Sequence, residues 1–380
     1  MKQRESLKKI IVAIDSFKGC LTSAEANQAA SEGILQPEGR SVARNLAKMP
    51  EAKVVQVPVS DGGEGFLEAF LQPKGRSVAR NQAAMGGDIV EVNVKDPLMR
   101  PIVAPYLLQG DTAVIEIAKA SGLTLLKPEE RNPMVATSYG TGQLVVDAIR
   151  RGCKHIIVGL GGSATSDCGI GMLRAIIDAF AKHGHWDDVR ELDNIRFTIA
   201  TDVTNPLCGE NGAAHVFAPQ KGATQEMVDA LDARAKRFAE ASAKHLGRDC
   251  QNMPGAGAAG GLGYAFLQYM NAECRSGIDL LLDAIHFDDL LQDADLVITG
   301  EGSADRQTLM GKLPFGILQR AQKHNVPVML IAGRIADEQL LLDAGFSRVA
   351  CINPPRLPLE IAMQPEIAKE NIKTTIIQML

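Results

Sequence analysis

The chain has 380 residues, 46% hydrophobic and 22% charged, an ordinary globular composition. Its length exceeds what one hydrophobic core usually serves (~250–300 residues), so two domains are expected. Lys and Arg number 40 against 45 Asp and Glu, a net charge of −5, and there are one Trp, four Tyr and eleven Phe; these numbers exclude a protein that lives on phosphate-backbone attraction or on base-stacking platforms.

The chain opens with Lys and Arg residues before the apolar run Ile10–Ile14, a run too short for the core of a secretory leader, which needs ~7–15 residues. No stretch approaches the ~18–20 apolar residues of a membrane helix. Seven single cysteines, at 20, 153, 168, 208, 250, 274 and 351, form no CxxC pair and predict reduced thiols in a cytoplasmic protein. The one close histidine pair, His183 and His185, reads as a solvated loop rather than a zinc site.

Ile10–Ile14 is β-branched and predicts a buried strand ending at Asp15, followed by capping-box spacing in Thr22-Ser-Ala-Glu25 and a helix over Ala24–Leu35. A second strand is expected over Val54–Val59, closed by Ser60-Asp61-Gly-Gly-Glu64-Gly65, then a helix over Phe66–Leu71. The segment Gln36–Asn45 recurs almost letter for letter as Gln72–Asn81; two copies are too few for a solenoid, and each reads as a solvated connection. Ile89–Val94, Ile102–Leu108 and Thr112–Ile117 alternate between turns and predict an antiparallel meander. Strands are expected at Ile156–Val158, before a helical stretch over Met172–Phe180, and at Phe197–Ala200. Further strands are expected at Leu296–Thr299, Val326–Ile331 and Val349–Ile352, with helices over Phe315–His324, Asp337–Asp343 and Pro365–Met379.

Strand, loop and helix thus repeat at both chain ends, the pattern of an α/β fold with a doubly wound parallel sheet. The organisation this predicts is a discontinuous domain over 1–82 and 290–380 with a second α/β domain inserted over 83–289. Ligands of open α/β sheets lie beyond the carboxyl ends of strands, where the acidic loops at Asp15, Asp61 and Glu301 fall.

Four glycine-rich segments carry candidate chemistry. Gly159–Gly169 sits between a strand and a helix; its glycines, Ser163 and Thr165 suit phosphate or carboxylate, and Asp167 suits a cation, although a capped turn accounts for the same letters. Pro254–Gly263 contains a literal GxGxxG at Gly255–Gly260, but no strand leads into it, so the dehydrogenase fingerprint fails; a nucleotide loop and close helix packing both remain open. Tyr139-Gly-Thr-Gly142 is a helix-opening turn that fits either role. Gly300–Thr308 places Glu301 and Asp305 at a strand end, and carboxylates without His or Cys suit Mg²⁺. Asp15, Asp61, Glu64, Glu301 and Asp305, with Lys18 and the glycine loops, supply the parts phosphoryl transfer needs. Gly311-Lys312 is followed by Leu313, so there is no Walker A motif; the protein-kinase signatures and G-x-S-x-G are absent too.

Together these runs resemble the bacterial glycerate kinase family. The matching residues are Asp15–Gly19, Val57–Gly65, Arg131–Pro133 with Ser138–Gly142, Gly159–Gly171, Thr201–Gly209, Phe217–Ala223, Pro254–Gly263, Gly277–Asp279 and Gly300–Thr308, in family order from residue 10 to about 333. The resemblance implies a flavodoxin-like domain from both chain ends and an inserted domain of restriction-endonuclease type. It implies ATP-dependent phosphorylation of D-glycerate to 2- or 3-phosphoglycerate in an interdomain cleft, with ATP and Mg²⁺ as co-substrate and cofactor.

Carried over by position, Asp15, Lys18, Asp61 and Glu301 are the expected catalytic residues, with Asp61 and Glu301 on the metal. Ser16, Glu64, Asp202, Asn205, Lys221 and Asp305 are expected on substrate and phosphate. Gly161, Gly162, Ser163, Thr165, Gly255, Gly257, Gly260 and Gly261 are expected at the nucleotide. Ser303 stands where the family pattern leads to an Arg, with Arg306 close by, and the repeated segments and the short 177–194 stretch also depart from it. The partners expected are glycerate and ATP, not nucleic acid or membrane, with a homodimer allowed. A non-catalytic nucleotide-binding regulator and an Mg²⁺-dependent phosphatase of small sugar acids are the alternatives.

Overall fold

The structure is a computed structural model and describes residues 7–35, 53–57, 59, 67 and 87–380. Eleven strands are found among them, β1 Lys9–Ile14, β2 Lys53–Gln56, β3 Asp88–Lys95, β4 Pro101–Gln109, β5 Thr112–Glu116, β6 His155–Gly159, β7 Arg196–Ala200, β8 Glu273–Arg275, β9 Leu296–Glu301, β10 Val328–Ala332 and β11 Arg348–Cys351. The chain divides into two compact units, one of Met1–Asp61, Gln72–Ala84 and Leu281–Leu380, the other of Gly62–Leu71 and Met85–Leu280.

The first unit holds a five-stranded sheet in the order β11-β10-β9-β1-β2, parallel throughout. Counted within the unit this is the 2-1-3-4-5 order of flavodoxin-like folds, whose direction of winding reverses between the first and third strands, here β1 and β9. The apolar runs are strands because they are buried on both faces: β1 reads Ile10 to Ile14 with every residue fully inaccessible, as parallel strands covered by helices require. Helices Ser23–Leu35 and Pro365–Met379 cover one face, burying Ala26, Ala29, Ala30, Ile372 and Ile376 against Ile10, Val12 and Ile14. Gly33 lets them touch, since a Cβ there would lie 2.9 Å from the Lys373 carbonyl.

The second unit holds a six-stranded sheet in the order β3-β4-β5-β6-β7-β8. β3, β4 and β5 form the antiparallel meander, and β5 through β8 run parallel. Its core gathers Tyr106, Ile115, Val158, Phe197, Leu262 and Phe266. The parallel register places Glu116, Gly159, Ala200 and Arg275 in one row at the carboxyl ends of their strands.

Boundaries shift where proline intervenes. β10 starts at Val328 rather than Val326, because Pro327 has no N–H for the ladder and serves only through its carbonyl, which accepts from Val297 at 3.0 Å. The helix expected from Phe315 starts at Leu313, with Pro314 in its first turn. Asp61, Glu64, the helix expected over Phe66–Leu71 apart from Leu67, and both repeated segments lie outside the described residues.

Candidate active site

In the first unit the loops leaving β1 and β9 lie side by side. Ile14 pairs with Gly300, and the Asp15 N–H donates to the Gly300 carbonyl at 2.9 Å. Asp15 is half-buried, and its Oδ1 accepts from the Ser16 N–H at 2.7 Å, which turns the carboxylate back over its own loop. A Cβ on Gly302 would come 3.8 Å from the Lys18 backbone nitrogen, and the Lys18 side chain is exposed. Asp15, Ser16, Lys18 and Glu301 are therefore brought to one end of adjacent strands, at the point where the winding reverses.

Glu301 is 6% exposed. Its Oε1 accepts from the Thr308 hydroxyl at 2.6 Å and its Oε2 faces the Lys312 ammonium at 3.4 Å. Burial raises its pKa above the usual carboxylate value; the Thr308 and Lys312 contacts pull against that shift, and nearby Asp305 adds to it. Asp305, expected on substrate, caps the following turn: its Oδ1 accepts from Gln307 N at 2.7 Å, and its own N–H donates to the Thr308 hydroxyl at 3.0 Å. Thr308 and Lys312 were not singled out from the sequence. The one local signal is the Gly311-Lys312 pair, which does not complete a Walker pattern.

In the second unit the loop Gly159–Gly169 leaves β6 toward helix Ile170–Phe180. Gly162 is exposed and needs its φ of +72° at the tip. The loop is stapled on both sides of Ser163: Leu123 N donates to Gly162 O at 2.9 Å, and Ala164 N to Ser121 O at 2.8 Å. Lys221 lies behind it, 2% exposed, donating to Ser163 Oγ at 2.8 Å and to Thr165 O at 2.6 Å. Burial pulls the lysine down to about 7, with Asp167 acting in the opposite direction. The Thr165 hydroxyl is buried without a hydrogen-bond partner. Lys221, Ser163 and Thr165, expected in two separate roles, thus form one cluster.

Asp167 and the second glycine loop both have close protein partners. Asp167 is not disposed to hold a cation: Oδ2 accepts from Ser138 N, Ser138 Oγ and Gly171 N at 2.9, 2.9 and 3.1 Å, and Oδ1 from Gly169 N at 3.1 Å, so it organises the helix entry. The glycines of the second loop are taken up by close packing. A Cβ on Gly260 would lie 2.0 Å from Thr165 O, one on Gly261 2.8 Å from Cys168 Cα, and one on Gly257 2.3 Å from Pro206 O. A Cβ on Gly255 would lie 2.9 Å from Cys274 Sγ. Of the two roles left open for this loop, the geometry speaks for packing, against the back of the first loop. Tyr139–Gly142 is the first turn of helix Tyr139–Arg150, with Gly140 and Gly142 abutting Lys95 O and Met172 O.

Asp202 is exposed just beyond the end of β7, and Asn205 donates through Nδ2 to Asn211 O at 2.8 Å while its carbonyl accepts from Gly257 N. Glu116, at the end of β5 and 1% exposed, is a further carboxylate that sequence reasoning passed over; its Oε2 accepts from Leu67 N at 3.2 Å. Among the described residues there is no cluster of three or more His, Cys, Asp or Glu side chains able to hold a metal by themselves. No helix among them is long and apolar enough to cross a membrane.

Comparison with known proteins gives the family. The model of the Glycerate kinase family matches residues 10–380. The chain is 40% identical over 377 residues to the glycerate kinase of Bacillus subtilis strain 168, covering 94% of this chain and 93% of that one. It is 38% identical over 369 residues to the glycerate 2-kinase of Escherichia coli K12, covering 90% and 91%. A crystal structure of a Salmonella typhimurium LT2 protein provisionally named glycerate kinase 2 superposes with a TM-score of 0.77 at 36% identity, over 98% of this chain and 97% of that one.

Proposed function

The chain belongs to the glycerate kinase family, and on that premise we propose that it transfers the terminal phosphoryl group of ATP to a hydroxyl of D-glycerate in the cytoplasm. The observation that carries the reading is the pair of carboxylates, Asp15 and Glu301, at the carboxyl ends of β1 and β9 where the sheet reverses its winding, the position at which open α/β sheets take their ligands. The glycerate hydroxyl oxygen attacks the γ-phosphorus, the bond from that phosphorus to the bridging oxygen breaks, and ADP leaves. Asp15 orients the hydroxyl and accepts its proton. Lys18, exposed beside Gly302, meets the transferred phosphoryl group. In the second unit, Gly161, Gly162 and Ser163 make the phosphate loop, since an exposed glycine tip brings backbone N–H groups close to an anion.

Mg²⁺ fits the donor chemistry as a shared ligand rather than a caged one. Such an ion keeps one or two carboxylates together with phosphate oxygens, and Glu301 offers a buried carboxylate whose Oε2 faces Lys312 at 3.4 Å. Glu301, with Asp61 from outside the described residues, is the proposed holder. When bound, the ion neutralises charge on the phosphates.

The relatives carry kinase names, and neither the regulator nor the phosphatase reading is favoured beside them. The glycerate 2-kinase name of the E. coli relative favours 2-phosphoglycerate over 3-phosphoglycerate. A coupled assay for ADP tests the reading: ADP must form from ATP when glycerate is added and not in its absence. ATP bound but not consumed would instead indicate the regulator.

A further inference from the structure

The geometry points to Lys221 as a positioning residue that aims the Ser163 hydroxyl at the nucleotide phosphates, rather than as a phosphate ligand itself. The inference deepens the reading of Gly161–Thr165 as the phosphate loop and rests on it. Lys221 is 2% exposed and lies behind the loop, its ammonium donating to Ser163 Oγ at 2.8 Å and to Thr165 O at 2.6 Å. A lysine nitrogen that donates to Ser163 Oγ cannot, as ammonium or as amine, accept from that hydroxyl along the same contact, and a hydroxyl has one hydrogen and two lone pairs. Ser163 therefore accepts from Lys221 and cannot return its hydrogen to it. That hydrogen is left for an acceptor other than Lys221, and the neighbouring Gly162 is exposed.

The backbone cannot swing to relieve this arrangement. Gly162 O accepts from Leu123 N at 2.9 Å and Ala164 N donates to Ser121 O at 2.8 Å, so Ser163 is fixed between two bonds to one neighbouring segment. A short bridge between Gly122 and Ser163 belongs to the same contact. The charged group facing the ammonium is Asp167, itself committed to Ser138, Gly169 and Gly171. Lys221 acts as a fixed donor whose service to an anion passes through the serine, and hydrogen bonds to a charged acceptor are the stronger class.

The test is a double-mutant cycle on the full chain with Ser163→Ala, Lys221→Met and the pair, reading kcat and KM for ATP and for glycerate, with ATP binding by calorimetry. Each single change is expected to raise KM for ATP about tenfold, the size of one lost bond to a charged group, while KM for glycerate stays within about twofold. The pair is expected to be no worse than either single change, because both remove the same directed hydrogen. Losses that multiply, or an unchanged KM for ATP in Lys221→Met, would overturn the inference. Lys221→Leu, which also carries no donor, replaces Lys221→Met in the cycle if thermal melting shows that the latter does not fold, with the same two outcomes. Failure of the wild-type chain to bind or consume ATP would sink the phosphate-loop reading instead, so the two failures are separable.

Discussion

Asp15 and Glu301 leave neighbouring parallel strands side by side: Ile14 is paired with Gly300, and the Asp15 N–H donates to the Gly300 carbonyl at 2.9 Å. Residues 286 positions apart in sequence thus leave strands that lie one spacing apart, ~4.8 Å. Their surroundings differ. Asp15 is half-buried and turned onto Ser16, whereas Glu301 is buried between Thr308 and Lys312.

Asp15→Asn should lower kcat by about 10²–10⁴-fold, the usual contribution of a positioned general base. The side chain is half-buried and outside the β1 core, so the melting temperature should move by only a few degrees. Steady-state kinetics beside thermal unfolding checks both; retained turnover would remove Asp15 from its role.

Thr308→Val should destabilise the first unit by about 1–3 kcal/mol, because it leaves a buried carboxylate oxygen without its donor. Thr308 is inaccessible, accepts from Asp305 N and donates to Glu301 Oε1 at 2.6 Å. Thr308→Ser keeps the hydroxyl and should recover most of the loss. Urea midpoints of the three proteins decide the matter.

Lys221 gives stability a pH dependence of determinate sign. Burial lowers its pKa from 10.5 to about 7 in the folded chain, so between those values the unfolded chain binds the extra proton. Stability contributed by this group therefore rises with pH through that window, by up to ~1.4 kcal/mol per unit, and is lost as pH falls through about 7. The wild type measured against Lys221→Met, by denaturant midpoint from pH 6.5 to 9.5, should gain over that range. A flat difference would mean that the ammonium is not desolvated.

Gly260→Ala should cost several kcal/mol, since its Cβ would lie 2.0 Å from the Thr165 carbonyl oxygen at a φ of +66°. Gly152→Ala, at φ +88° with no atom within 4 Å, carries only the backbone penalty, ~1–2 kcal/mol. If the two variants unfold at the same denaturant concentration, the tight contact between the two glycine loops is not real.

The strands were legible because β-branched runs such as Ile10–Ile14 and Leu296–Thr299 have few other ways to be buried, and Pro365–Met379 was bounded by its own proline. The acidic strand ends at Asp15 and Glu301 were legible for the same reason: a parallel sheet has one functional edge. What the letters did not disclose was the partner of each side chain. A glycine admits either a phosphate or a neighbouring backbone, and at Gly257, Gly260 and Gly261 the neighbour is protein. Asp167 was offered to a cation, yet four donors converge on it only after Ser138 folds onto the loop. The burial of Lys221 behind Ser163, 58 residues away, has no local signature.

Phosphorus NMR of the chain incubated with ATP, Mg²⁺ and D-glycerate is the most direct measurement of phosphoryl transfer. The expected spectrum shows a phosphomonoester of glycerate growing as the γ-phosphate resonance of ATP declines, with coupling to the carbon-bound proton reporting which hydroxyl was used. Orthophosphate in place of the ester, or an ATP spectrum unchanged by glycerate, would contradict it.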